Sequence, residues 1–586
     1  MTEKLNKVDA VIVGSGWAGG IVAAELTKKG HNVVILERGK ARGSSDFVAM
    51  KDELRYSSRY ELMQDLSKET LTSRNGLNKT ALPVRNNYHA RLGTDTGGAG
   101  DHWNGIAFRW LPYDFEIYSK TVERYGAEKI PQGTTIQDWG ITYDELEPYY
   151  DQYEKAAGIS GEENPLGPRR SDKYPNPAMK TTPTITLFKD ASKKLGYHPY
   201  HLPSANMSQA YTNPDGELIN GCMYCAFCEE YGCGFNAKSS PTVTVLATAE
   251  KTGHLELRNN ANVTRVAHDG TRATGLVYTD TNTGKTYEQP ADVVVLAGFV
   301  FNNTRLLLLS DIGKPYDPKT GNGIIGKNFT GHFTNISTYI GARGFFKDKK
   351  FNTFMGTGAL GATIDDFSGD NKDHSNSDYL HGFEVHYSQL GARPIANNHV
   401  PKGTPTWGKV FKKNSIYYYN RNLFITPQSG FLPNKNSYMD LDPTYKDALG
   451  NPLLRVTCEY QDQDRKRARA GVAVCKQIMQ QMGADIVDVD DVPDDTNFNH
   501  RFFTDHFFGG AIMGEGPHNS AVNTFSQMWD MENLFVVGGS SFPHNSNYNP
   551  TVTIGAFAYR AAEGINKYFS QGGGLVQQAK TNKGDT

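Results

Sequence analysis

Near its amino terminus the chain runs through an apolar segment, Val8–Val13, into Gly14-Ser15-Gly16-Trp17-Ala18-Gly19, and that order leaves few folds open. Residues 17–29 have helical periodicity, and residues 32–36 read as a second strand that ends at Glu37. Strand, glycine turn, helix and strand together predict a βαβ unit built for a dinucleotide. Gly14 permits the turn, Gly16 lets the backbone approach a pyrophosphate, and Gly19 allows helix and strand to pack closely. The anion would rest on free amides at the helix start, and Glu37 would accept from ribose hydroxyls. FAD and NAD are not separated by this motif. FAD is favoured because the motif opens the chain, only one fingerprint is present, and long insertions split the nucleotide-binding pattern.

A second feature is as constraining. Cys222-x-x-Cys225-x-x-Cys228-x4-Cys233 places four of the six cysteines within twelve residues. Packing gives no reason to concentrate thiols in this way. The spacing suits an iron–sulfur cluster or zinc, and a structural zinc site more often joins two cysteine pairs across a longer loop. Cys233 is followed by Gly234 and no second cysteine run exists, so only this segment supplies cysteine ligands locally. A cubane and a three-iron cluster are both compatible with the spacing. A nicotinamide product would leave such a centre without a task, which again favours FAD.

At 586 residues the chain is too long for one compact core. A net charge of −2 with dispersed basic residues argues against a nucleic-acid surface. The start enters a strand at once, so a secretory signal is not expected on this chain. The apolar run at 291–309 is interrupted by Asn302, Asn303 and Arg305 and reads as a strand and helix, not a membrane span.

The fold class expected is an α/β FAD-binding Rossmann-like domain with a second α+β substrate domain on an antiparallel sheet. Residues 1–165 form the first part of the FAD-binding domain, with a helix at 142–157, and residues 40–90 are irregular with short helices. Residues 166–215 form an extended substrate-side excursion. Residues 216–335 hold the cysteine segment and the second FAD-binding part. Within it, 255–260, 263–269, 272–279 and 285–289 read as an antiparallel meander, and 292–296 resumes the parallel pattern. Residues 336–498 form the substrate domain, with strands at 335–342, 380–387 and 454–460 and a helix at 463–482. Residues 499–570 complete the FAD-binding domain, and 571–586 read as a disordered tail.

These residues resemble the glucose–methanol–choline oxidoreductase superfamily, and within it the flavoprotein (large) subunits of gluconate 2-dehydrogenase-like, membrane-associated sugar-acid and polyol dehydrogenases. The resemblance rests on VDAVIVGSGWAGG, GGAGDHWNG, CMYCAFCEEYGCG, DHFFGGAIMG and LFVVGGSSFPHNSNYNPTVTIGAFAYRAAEGI. It implies that His506 takes the alcohol proton while hydride passes to the flavin, and that Asn549 holds the substrate oxygen. A neutral imidazole suits proton removal near neutral pH. His544, five residues before Asn549, is a further candidate for the chemistry or for substrate recognition. The loop Gly97-Gly98-Ala99-Gly100-Asp101-His102-Trp103-Asn104 would lie against the flavin, with His102 as a covalent attachment residue. The resemblance favours a [3Fe–4S] centre on three of the four thiolates Cys222, Cys225, Cys228 and Cys233, and the spacing does not choose which three.

The resemblance further implies oxidation of a small sugar acid, foremost D-gluconate to 2-keto-D-gluconate, with Arg109 a candidate for holding the carboxylate. 2-Ketogluconate, sorbitol, glucose or fructose are alternatives, as is an oxygen-using sugar oxidase. The implied partners are a small subunit carrying an export signal and a membrane-anchored multihaem cytochrome c, with no nucleic acid. The implied location is the periplasmic face of the inner membrane, with the cytoplasm as the alternative.

Overall fold

Segments rich in valine and isoleucine with no polar alternation must bury both faces, as strands of a covered parallel sheet do. Val8–Val13, Val33–Leu36, the second half of Thr286–Leu296 and Leu534–Val536 are such segments, and all four lie side by side in parallel. The computed structural model describes residues 2–47, 62–85, 92–333, 340–390, 398–498 and 506–580. Its eight-stranded sheet is ordered Leu255–Arg258, Val33–Leu36, Val8–Val13, Thr286–Leu296, Ala273–Asp280, Ala261–His268, with Glu3–Lys4 and Leu534–Val536 also pairing to Thr286–Leu296. Trp17–Thr27, buried on nearly every side, packs with Thr551–Ser570 in one core with this sheet.

The meander differs from the expectation in two ways. Leu255–Arg258 is not part of it but extends the parallel sheet beside Val33–Leu36, with Leu255 opposite Val33. The segments at 285–289 and 292–296 form one strand. Its first half pairs antiparallel with Ala273–Asp280 and its second half parallel with Val8–Val13, the change falling at Pro290 and Ala291. A proline there removes one backbone donor without breaking the strand.

A second, six-stranded antiparallel sheet is ordered Ile486–Val489, Ala342–Phe345, Asn422–Gln428, Glu384–Ser388, Gly361–Ile364, Tyr200–His201. One face packs Val385, Tyr387 and Ile425 against the helices Asp462–Gln481 and Pro183–Lys194. The alternate residues Glu384, His386 and Ser388 point the other way, as the two-residue strand period requires. Pro183–Lys194 lies inside the stretch expected to be extended; Pro183 at its first turn starts it and two lysines end it. Of the strand expected at 335–342, residues 335–339 lie outside the described residues, and the strand found is Ala342–Phe345.

The strand expected at 454–460 is Pro452–Cys458, and it belongs to neither large sheet. It runs parallel to Leu71–Asn75, in a four-stranded sheet with Tyr438–Lys446 and Leu82–Pro83, so the region 40–90 contains strands as well as loops. The tail expected to be disordered is held down as far as Lys580. Gln577 accepts from the Thr524 amide and hydroxyl at 3.1 and 2.6 Å, and the Lys580 amide donates to the Glu515 carbonyl at 2.9 Å. Its few apolar residues misled because, of its described residues, Val576 alone packs on the core and hydrogen bonds hold the rest. Residues 581–586 lie outside the described residues. Among the described residues no helix is long and apolar enough to cross a membrane.

Candidate active site

One cavity of about 410 Å³ runs from the first βαβ unit to the polar face of the six-stranded sheet. Gly14, Gly16, Glu37 and Arg38 line one end, His102, Trp103 and Asn104 its flank, and His332, His386, Gln428, His506 and Asn549 the other end. At the first end Gly14 sits at φ +90°, which an L side chain rarely adopts. A Cβ on Gly19 would lie 2.0 Å from the Gly14 carbonyl oxygen, so this position must stay bare for the helix to meet the strand. Gly16 caps the helix Trp17–Thr27 with no side-chain partner, leaving its first amides available to an anion.

Glu37 does more than wait for a ribose. Its Oε2 accepts from the Ser15 amide at 3.0 Å and hydroxyl at 2.9 Å, and its Oε1 from the Gly39 amide at 2.9 Å. The Ser15 hydroxyl in turn accepts from the Gly97 amide at 3.0 Å. One carboxylate thus fixes both glycine turns. Gly97 stands behind the cavity wall, while Gly98 and the short helix Ala99–His102 form it. Trp103 donates to the Ser239 carbonyl at 2.9 Å, and Asn104 accepts from the Ile106 amide at 3.0 Å, which holds the loop flat against the cavity.

Beneath these loops lies Asp95, whose carboxyl pKa is pushed up to about 9 by burial, then by the charges of Asp101 and Glu37. Neither of its oxygens has a hydrogen-bond donor among the described residues. The folded protein therefore holds a proton that the unfolded chain releases near the ordinary carboxylate pKa. Folding stability falls as pH rises from about 4 to about 9 on this account. Asp95→Asn, which mimics the neutral acid, is expected to raise the melting temperature at pH 8 by several degrees, with the gain shrinking to nothing near pH 4. Thermal denaturation of both proteins across that range checks it; a gain that grows toward acid would refute the assignment.

At the other end the orientations follow from one another. The Gln428 amide donates to the Asn547 carbonyl at 3.0 Å and to Asn549 Oδ1 at 3.1 Å, so Asn549 turns its NH₂ toward His506 Nε2, 3.5 Å away. A donor facing Nε2 leaves the lone pair on that nitrogen and the proton on Nδ1. His506 Nδ1 lies 2.9 Å from His332 Nδ1 and therefore donates to it. His332 can accept because burial, then the neighbouring His506, hold its pKa well below the ordinary imidazole range. The result is an imidazole lone pair and an amide N–H turned toward the same region of the cavity. That pair can take a hydroxyl proton and hold the oxygen that loses it.

Two sequence candidates are placed elsewhere. His544 is fully buried and does not line the cavity; it accepts from Trp139 Nε1 at 2.8 Å, its Nδ1 contacts the Asn545 carbonyl at 2.8 Å, and burial pushes its pKa down to about 4. It is a packing residue. Arg109 is buried in an ion-pair network, with Nε and Nη2 on Glu154 at 2.8 and 2.7 Å and Nη1 on Glu147 at 2.7 Å, and has no place in the cavity. A carboxylate-binding arginine needs a free guanidinium edge, and this one is spent.

His332 and His386 were missed. His386 Nδ1 lies 2.6 Å from the buried Glu384 carboxylate, whose other oxygen accepts from Thr363 at 2.9 Å. Its signal was present in Glu-Val-His-Tyr-Ser, where polar and apolar residues alternate within a strand and leave two ionisable groups on one face.

The cysteine loop lies directly behind the flavin-loop candidate. The Glu230 amide donates to the His102 carbonyl at 2.7 Å, and the Lys238 ammonium bridges the carbonyls of Trp103, Cys228 and Tyr231 at 2.7 to 2.9 Å. Tyr224, Ala226, Glu230 and Asn236, none of them glycine, take positive φ, so the loop is wound tightly at a cost in backbone energy. None of its thiols is in a disulfide. Three accept N–H groups: Cys222 from Tyr224 at 3.4 Å, Cys233 from Ala237 at 3.4 Å and Cys228 from Asn206 at 3.5 Å. N–H groups aimed at sulfur are contacts of the kind that tune sulfur-ligated centres. Among the described residues, however, no three His, Cys, Asp or Glu side chains converge closely enough to hold a metal ion.

Comparison with known proteins gives the family. Two GMC oxidoreductase family models match residues 136–334 and 433–558, and an FAD binding domain model matches residues 9–49. The chain is 42% identical to the gluconate 2-dehydrogenase flavoprotein of Pantoea cypripedii, covering 98% of this chain and 96% of that protein. It is 29% identical to the 2-methyl-1,2-propanediol dehydrogenase of Mycolicibacterium austroafricanum, over 99% and 98% of the two chains. Among solved structures a formate oxidase of Aspergillus oryzae superimposes with a TM-score of 0.63 over 97% of this chain and 99% of its own, at 15% identity, which supports the fold alone. A dinucleotide turn, a histidine–amide pair facing the same cavity and the near full-length likeness converge: the chain belongs to the GMC oxidoreductases, FAD-dependent enzymes that oxidise CH–OH groups.

Proposed function

We propose that the protein oxidises D-gluconate at C2 to 2-keto-D-gluconate. The observation that carries this reading is the pairing of His506 Nε2 and Asn549 Nδ2 beside a sheet face of imidazole, amide and hydroxyl groups. Asn549 donates to the C2 hydroxyl oxygen, and His506 Nε2 removes its proton. The new imidazolium keeps its Nδ1 hydrogen bond to His332, a neutral acceptor that stabilises the charge without competing for the proton. FAD, when bound, supplies the acceptor for the hydride leaving C2. Among the described residues no lysine or arginine lines the cavity beside His506; Arg38 and Arg305 lie with Glu69 at the nucleotide end. The substrate carboxylate would lie against the polar sheet face, where His386, Ser388, Thr426 and Gln428 line the cavity.

The test is turnover of the purified holoenzyme with an artificial dye and a panel of gluconate, 2-ketogluconate, glucose, fructose and sorbitol. Gluconate is expected to lead, and His386→Gln to raise its KM about 10- to 100-fold while leaving neutral sugars within about twofold. A preference for an uncharged sugar in the wild type overturns the reading.

Three of the four thiolates Cys222, Cys225, Cys228 and Cys233 would hold an iron–sulfur cluster of the [3Fe–4S] type, which would supply one-electron exchange behind the flavin loop. Stoichiometric iron and acid-labile sulfide in anaerobically prepared protein, lost in the double Cys225→Ser/Cys228→Ser, is the expected result; an iron-free wild type refutes it. His102, on the cavity wall, would carry a covalent flavin, so that acid-precipitated protein stays yellow. Electrons would leave to a membrane-anchored cytochrome c at the periplasmic face, with an export-bearing small subunit, and fractionation of cells expressing the complex tests that placement.

A further inference from the structure

Several of the most exposed large apolar side chains lie in one band. Trp407 is 82% exposed and Ile416 67%, on or beside the helix Gly408–Tyr418, which buries none of its residues. The carboxyl end anchors it: the Tyr418 ring stands 5.1 Å from Phe345, and Tyr417 donates to the Lys347 carbonyl at 3.2 Å. From Tyr419 the surface passes to Phe354, 80% exposed, with ring centroids 6.4 Å apart. Two residues later Gly356 pairs with the cysteine loop, donating to the Tyr224 carbonyl at 3.2 Å and accepting from the Ala226 amide at 3.0 Å. There Met223 is 66% exposed and the Cys225 thiol reaches the surface. Isolated chains seldom leave so many large apolar side chains in water without a partner for them. Lysine outnumbers acid along the band's border. The helix carries Lys409, Lys412 and Lys413 and no acid, and Lys347, Lys349 and Lys350 adjoin it beside Asp348 and Asp485, whose carboxylate accepts from the Lys347 amide at 2.7 Å.

We propose that this band docks the electron-accepting protein, a partner that presents a one-electron redox centre within an apolar patch ringed by aspartate and glutamate. The inference rests on the reading above that electrons leave to a protein. Apolar contact would seat the partner at the exposed end of the cysteine loop, whose inner end touches the flavin loop through Glu230 and His102. The lysine rim would steer the approach and set the register. Each turnover takes two electrons and two protons from one CH–OH group. Two one-electron centres are each reduced once, and the protons pass to solvent.

The experiment uses the holoenzyme with a soluble acidic cytochrome c as probe. The variants are the double Phe354→Ser/Trp407→Ser and the triple Lys409→Glu/Lys412→Glu/Lys413→Glu. The wild type should bind the cytochrome in sedimentation velocity at low salt and reduce it at a rate that falls with ionic strength. Both variants should lose the complex and reduce cytochrome at least about tenfold more slowly, with gluconate-driven dye reduction kept within about twofold. Unchanged binding and reduction in the variants, or no salt-dependent binding by the wild type, overturns the proposal. So does loss, in the variants, of binding to phosphatidylglycerol vesicles or of self-association while the cytochrome reaction stays intact. A wild type that passes electrons from gluconate to dioxygen but to neither dye nor cytochrome refutes the proposed function instead.

Discussion

Replacing His506 with glutamine is expected to slow reduction of the bound flavin by gluconate about 10³-fold, within the range a positioned general base contributes. Glutamine fills similar space and can still meet His332, so the fold and the flavin content should survive. Asn549→Ala should slow the same step less, by about 10²-fold, because it removes one hydrogen bond to the oxygen and leaves the base in place. Stopped-flow flavin absorbance in single turnover separates this step from electron exit. If His506→Gln reacts within about tenfold of the wild type, the base lies elsewhere and the orientation chain from Gln428 through Asn549 to His332 has another purpose.

Removing Arg109 should have the largest effect on stability. Its guanidinium answers Glu154 through two nitrogens and Glu147 through a third, and Arg170 also pairs with Glu154. Arg109→Met leaves buried carboxylates under-compensated, a change that costs about 3–5 kcal/mol where one partner of a buried pair is lost. Lower thermal and urea midpoints, with turnover of the folded fraction unchanged, is the expected result. Unaltered midpoints with a raised KM for gluconate would return Arg109 to the substrate site.

The first βαβ unit could be read from sequence because its signals are local: a turn that tolerates only glycine at Gly14, and a strand ending at Glu37. His506 and Asn549 were legible only through resemblance, since nothing near either residue in the chain says that they meet. Arg109 and His544 show the limit of local reading. Arginine beside a glycine loop and histidine near Asn549 invite chemistry, but Glu154 and Trp139, distant in sequence, had already claimed them. His386 escaped for the opposite reason. Its strand was recognised, but which face met the cavity depended on a sheet assembled from segments as far apart as Tyr200–His201 and Ile486–Val489.

The dual pairing of Thr286–Leu296 bears on where the chain can be edited. Ala297, Gly298 and Phe299, which follow it directly, form part of the cavity wall. Deleting one codon within the strand would shift its pairing by a residue, reverse the facing of its side chains and displace that wall. The turn at 281–284 just before it is exposed, so an epitope or purification handle grafted there should be borne without harm.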